Sequence, residues 1–67
     1  DPYVFLGLSY EAGEEEIKQT YRLLVKENHP DSLIGRGVPP EFVKLATDKL
    51  AAINSAYETV RRERDIR

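Results

Sequence analysis

Between residues 42 and 60 the apolar side chains recur at helical spacing: Phe42, Leu45, Ala46, Leu50, Ile53, Ala56, Tyr57 and Val60. At about 100° per residue they fall within about 140° of one another, a core-facing stripe sustained over about five turns. Lys49 interrupts that face and is expected to snorkel from its edge. A helix so one-sided must lie against something, and a 67-residue chain offers few surfaces. The chain has no cysteine and a single histidine, which removes disulfides, thiolate metal sites and a histidine-cluster zinc site as staples. A chain this short buries only about 60% of the surface it exposes when unfolded. Helix-on-helix packing in a small all-α domain is therefore the expected solution.

The rest of the chain supplies the partners for that stripe. Asp1-Pro2-Tyr3 reads as a helix start, with Asp1 as N-cap and Pro2 in the first helical position. Tyr3, Phe5, Leu6 and Leu8 give this short helix apolar surface, and Gly7 closes it. A second helix begins near Gly13 or Glu14. Glu14, Glu15 and Glu16 occupy its first turn, where the macrodipole favours negative charge, and Glu16 is half of a capping box. Counting from Ile17, Tyr21 falls at about 40°, Leu24 at about 340° and Asn28 at about 20°, one apolar stripe with a polar end. Lys18, Arg22 and Lys26 lie at about 100°, 140° and 180°, a basic ridge at i, i+4, i+8 spacing. Glu16 and Glu27 lie on the other flank with Leu23 between them, at about 240° to 280°.

Pro30 stops the second helix, because the residue before a proline is pushed out of the α region. Residues 31–40 contain Gly35, Gly37, Pro39 and Pro40 and are expected to form a loop. Pro40 then opens the third helix, the one carrying the long stripe. The charged end from Arg61 to Arg67 either prolongs that helix or forms a short fourth one. The expected architecture is an antiparallel hairpin of the second and third helices, with the short first helix packed across it.

Several function classes recede on composition. The longest apolar runs, Val4-Phe5-Leu6 and Leu23-Leu24-Val25, are far short of the roughly 20 residues that span a bilayer. A net charge of −2 disfavours a domain that lives on phosphate backbones. The lack of cysteine favours a reducing compartment. The absence of methionine suggests a single domain, residues 1–67, cut from a longer protein. One element stands out chemically. In His29-Pro30-Asp31 the proline fixes its own φ and straightens its predecessor, so that His29 and Asp31 are held in defined directions at an exposed tip.

Set in this order, the pieces resemble the J-domain of DnaJ-type cochaperones over nearly the whole chain. Asp1-Pro2-Tyr3 with Leu6-Gly7-Leu8 looks like the family's opening. Glu16-Ile17-Lys18 with Tyr21-Arg22 and Leu24 looks like its second helix. His29-Pro30-Asp31 is similar to its signature, and Ile53-Asn54 with Ala56-Tyr57-Glu58 to the end of its third helix. The segment Gly37-Val38-Pro39-Pro40-Glu41 is similar to that of DjlA-like proteins, which carry the J-domain at the C-terminus behind a TerB-like domain and are in many cases anchored at the inner membrane.

The resemblance implies a function. J-domains dock on ATP-bound DnaK-type chaperones, at the nucleotide-binding domain and linker region, and stimulate their ATP hydrolysis. The signature falls on His29, Pro30 and Asp31, and the family's basic docking surface on Lys18, Arg22 and Lys26. A basic ridge suits an acidic groove and steers encounter, and the Asp31 carboxylate suits an arginine on the partner. The resemblance further implies a monomeric, non-enzymatic module with no cofactor, metal or nucleic acid. It implies a cytoplasmic place, with any membrane attachment coming only through the parent protein.

Two departures bear on this. Many family members carry a basic residue where this chain has Leu23, and again where it has Glu27. Either that flank does not touch the partner, or the contact is altered, down to a J-like domain that binds without stimulating. Two further readings compete. Three helices with an arginine-rich end superficially suit a helix-turn-helix module, but the inter-helix segment is about ten residues rather than 3–4, and Glu63 and Asp65 interrupt Arg61, Arg62 and Arg64. An enzyme built on His29 and Asp31 would lack a phosphate cradle and concave, dry volume.

Overall fold

The computed structural model describes residues 1–66; Arg67, the last residue of the charged end, lies outside the described residues. The elements run α1 (Pro2–Leu6), α2 (Glu14–Asn28), α3 (Pro30–Gly35) and α4 (Pro40–Glu63), and the fold is all-α. α2 and α4 form the hairpin. Its antiparallel sense follows from its contacts: Tyr21 stacks on Tyr57 with ring centroids 3.8 Å apart, and the Arg64 guanidinium donates to the Ala12 carbonyl at 2.6 Å. None of the described helices is long and apolar enough to cross a membrane.

The helix starts follow their sequence signals. The Asp1 carboxylate accepts from the Tyr3 N–H at 2.9 Å, with Pro2 in the first turn. α2 starts at Glu14 after Gly13, and Glu14, Glu15 and Glu16 fill its first turn. No side chain caps α2, so Glu16 completes no capping box. Pro40 opens α4, as its missing N–H allows.

The core gathers Tyr3, Leu6, Leu8, Ala12, Ile17, Ile53, Val60 and Ile66, with Tyr21, Leu24, Ala56 and Tyr57 packed against it. Ile17, Ile53 and Val60 are fully buried. Side chains of α1, α2 and α4 thus meet in one layer, and α1 lies across the hairpin as the apolar pattern requires.

Two expectations are corrected and one alternative is decided. Residues 31–40 are not all loop: Pro30–Gly35 forms α3, which packs on both long helices and buries Leu33. Pro30 ends one helix and begins another, because a proline that cannot continue a helix fits the first position of the next. Of the two courses open to the charged end, the structure takes the first, prolonging the long helix rather than forming a separate one among the described residues. α4 runs on to Glu63, after which the chain folds back and buries Ile66. Finally, Phe42 and Leu45 belong to the long stripe by spacing, yet they are 56% and 63% exposed. α1 has only five residues and lies against the C-terminal half of α4, so nothing covers this part of the face.

Candidate partner-docking site

His29 sits between two helices. Its extended backbone (φ −72°, ψ 129°) closes α2 and also serves as the N-cap of α3. The Asp31 N–H donates to His29 Nδ1 at 3.2 Å, and the Leu33 N–H donates to the His29 carbonyl at 3.1 Å. With Nδ1 in the acceptor role, Nε2 is the ring nitrogen left to donate. On the α2 side, the Asn28 side-chain amide donates back to the Leu24 carbonyl one turn earlier, at 2.9 Å. His29-Pro30-Asp31 is therefore held by hydrogen bonds on both sides.

Asp31 stands exposed in the first turn of α3, where negative charge is favourable. Its backbone N–H is used by His29, whereas its carboxylate has no hydrogen-bond or ion-pair partner among the described residues. The histidine ring thus bonds the aspartate backbone rather than its carboxylate, so the two side chains do not form the pair that an acid–base catalyst would need. Two surface grooves among the described residues, lined by Asp1, Tyr10 and residues of α1 and α4, include neither side chain.

Arg22 and Lys26 are exposed on α2 and Lys18 is half-buried. Ile17 is fully buried, and the Tyr21 hydroxyl donates to Asn54 Oδ1 at 2.6 Å. These contacts fix the rotation of α2 and turn the basic ridge away from α4. None of the three cations has an ion-pair partner among the described residues. Lys26 lies in the last turn of α2, and at 1.5 Å per residue the ridge runs back about 12 Å to Lys18. The structure therefore sets a ridge of free positive charge along the helix that ends in His29. Leu23, on the neighbouring flank, is 56% exposed, and Glu27 is exposed as well.

The arginines of the chain end are differently placed. Arg61 is bonded to Glu58, and Arg64 to the Ala12 carbonyl, so both serve the fold. Sequence reasoning missed Leu33, the buried residue that pins α3 and with it the orientation of Asp31. The available signal was Pro30 followed by Asp31 and Ser32, a helix start, with apolar Leu33 and Ile34 before a glycine.

The DnaJ domain family matches residues 1–67. Co-chaperone protein DjlA of Shewanella oneidensis is 43% identical over 67 residues, which is 100% of this chain and 26% of that protein. Co-chaperone protein DjlA of Coxiella burnetii is 46% identical over 66 residues, 98% of this chain and 24% of that protein. The Vibrio cholerae protein of the same name is 43% identical over the full 67 residues. The chain thus spans about a quarter of the length of these curated relatives. No solved structure gives a significant match.

Proposed function

The chain belongs to the DnaJ domain family, and on that premise we propose that it docks on an ATP-bound DnaK-type chaperone and stimulates its ATP hydrolysis. The observation that carries this reading is the junction of α2 and α3. There His29 is fixed as a cap, and Asp31 presents a carboxylate with no partner among the described residues, beside the basic ridge of α2. The ridge of Lys18, Arg22 and Lys26 steers the domain onto an acidic surface at the nucleotide-binding domain and linker of the chaperone. Asp31 then takes a partner arginine in a charge-assisted bond. The domain contributes no reacting group. It acts by contact, and the hydrolysis belongs to the chaperone.

In this reading residues 1–67 are the J-domain of a longer protein, and the parent supplies client binding and any membrane attachment, with the J-domain in the cytoplasm. The test is a single-turnover ATPase measurement on a DnaK-type chaperone, comparing the domain with His29→Gln and Asp31→Asn. Stimulation by the unmutated domain and its loss in both variants is the expected result. No stimulation across several such chaperones sinks the proposal, and equal stimulation by the variants removes the loop from the mechanism. Binding without stimulation would favour the second reading, a J-like adaptor, to which exposed Leu23 and Glu27 on the flank of the ridge point.

A further inference from the structure

α4 has 24 residues and is about 36 Å long, nearly the 37 Å length of the molecule. α1 lies against its C-terminal half, and the groove between the two is bordered by Ala52, Ser55 and Ala56. Ahead of that point the same side continues uncovered. Phe42, Leu45, Lys49, Ala52 and Ala56 are spaced alternately three and four residues apart and fall within about 80° of one another. Phe42 is 56% exposed and Leu45 63%, and Lys49 and Ala52 are also open to solvent. At its Ala52 end the stripe enters a groove of about 320 Å³ between α1 and α4, lined by Asp1, Pro2, Phe5, Ala52, Ser55 and Ala56. The two alanines leave room there for a large apolar side chain from outside. Large residues at one end and small ones at the other make half of a helix–helix seam.

The charges along the seam indicate what completes it. Lys49 lies within the stripe. Glu41 and Asp48 each stand one residue before a seam position and line one flank. All three are exposed, and Arg61–Glu58 is the one ion pair among the described residues. We propose that this face of α4 docks an amphipathic helix of a partner protein. That helix carries a carboxylate in its apolar seam opposite Lys49 and basic residues on the flank that meets Glu41 and Asp48. A second copy of this chain fits badly. An antiparallel pairing centred on the stripe would set Lys49 against Lys49 and lay one acidic flank on the other. The surface uses none of His29, Asp31, Lys18, Arg22 or Lys26, so it stands whether or not the chaperone reading holds.

The probe is a synthetic amphipathic helix of about 21 residues, three heptads, with leucine in its seam, one seam glutamate and a lysine flank. A second peptide has the two charge types exchanged. In an amide-resolved NMR titration of the 67-residue chain, the first peptide should shift Phe5, Phe42, Leu45, Lys49 and Ala52 saturably. The exchanged peptide should bind about tenfold more weakly. Lys49→Glu, which alters no buried contact, should narrow or invert that preference. Leu45→Asp should abolish binding while leaving stimulation of a DnaK-type chaperone unchanged. Absence of saturable shifts, or equal binding of both peptides, overturns the proposal. Concentration-dependent self-association that Leu45→Asp removes would overturn it in favour of a second copy as occupant.

Discussion

At His29 one residue serves two helices, its extended backbone ending α2 and its Nδ1 accepting the Asp31 N–H that opens α3. An exposed hydrogen bond of this kind contributes about 0.5–1.5 kcal/mol, so His29→Gln should lower stability by about 1.5 kcal/mol at most. A urea denaturation of that variant checks the figure. A larger loss would mean that any failure of the variant to stimulate a chaperone reflects damage to the fold. Glu58 shows a different residue-scale effect. Its hydrogen bond to Arg61 holds the carboxyl below the usual glutamate range, against an opposing desolvation and with lesser help from the charges of Arg61 and Arg62. Because the folded pKa lies below the unfolded one, the contribution is complete above the unfolded value and disappears as pH falls through the folded one. The pair is exposed, so the effect is small and salt-sensitive. The melting temperature should therefore fall more steeply with acid, below the ordinary glutamate range, in the parent chain than in Glu58→Gln. Superimposable pH profiles would remove the pair from the stability of the fold.

α1, α3 and α4 end in the same way, with paired backbone bonds of the Schellman type. Leu8 N–H reaches the Tyr3 carbonyl, Val38 N–H the Leu33 carbonyl and Ile66 N–H the Arg61 carbonyl, at 2.8, 3.0 and 2.9 Å. The motif needs a left-handed residue just past the helix, and Gly7 (φ 76°) and Gly37 (φ 79°) supply it for the first two. At the end of α4 the position is filled by Asp65 at φ 52°, a conformation unfavourable for a side-chain-bearing residue. Asp65→Gly should thus stabilise the domain by about 0.5–1 kcal/mol, read as a raised melting temperature. A lowered one would show that the Asp65 side chain matters more to the turn than its backbone strain. The same endings explain what the sequence does and does not reveal. α1, α2 and α4 are legible because cap, proline position and apolar period agree at Asp1-Pro2, at Gly13 with its glutamates and at Pro40. α3 is not, since a six-residue helix shows no period and Pro30 reads equally well as a stop. Ile66 is hidden too: it is isolated among charges, and only the left-handed turn at Asp65 brings it back to the core. His29-Pro30-Asp31 is legible as a rigid tripeptide, but the use of the histidine ring as a cap depends on α3.

Over the whole molecule, a net charge of −2 is an average over separated patches. Glu14, Glu15 and Glu16 open α2, and Lys26 stands in its last turn beside His29. Along α2, Lys26 lies about 15–18 Å beyond Glu14, Glu15 and Glu16, more than the Debye length of about 10 Å at 0.1 M salt, so a partner approaching the His29 end is largely shielded from that acidic cluster. An approaching acidic surface therefore meets the ridge rather than the average. Arg22 is the ridge residue whose removal best separates steering from contact, being exposed, without an ion-pair partner among the described residues, and two turns from His29. If its role is long-range, Arg22→Ala should weaken docking on a DnaK-type chaperone more at low salt than at high, mainly through a slower association rate. If Asp31 makes the proposed short-range bond to a partner arginine, Asp31→Asn should instead act mainly on dissociation, with a loss that persists at high salt. Association and dissociation rates measured at both salt concentrations distinguish the two. Equal losses for Arg22→Ala at both salts would place Arg22 in the contact itself, and the ridge would then be an extension of the loop rather than its guide.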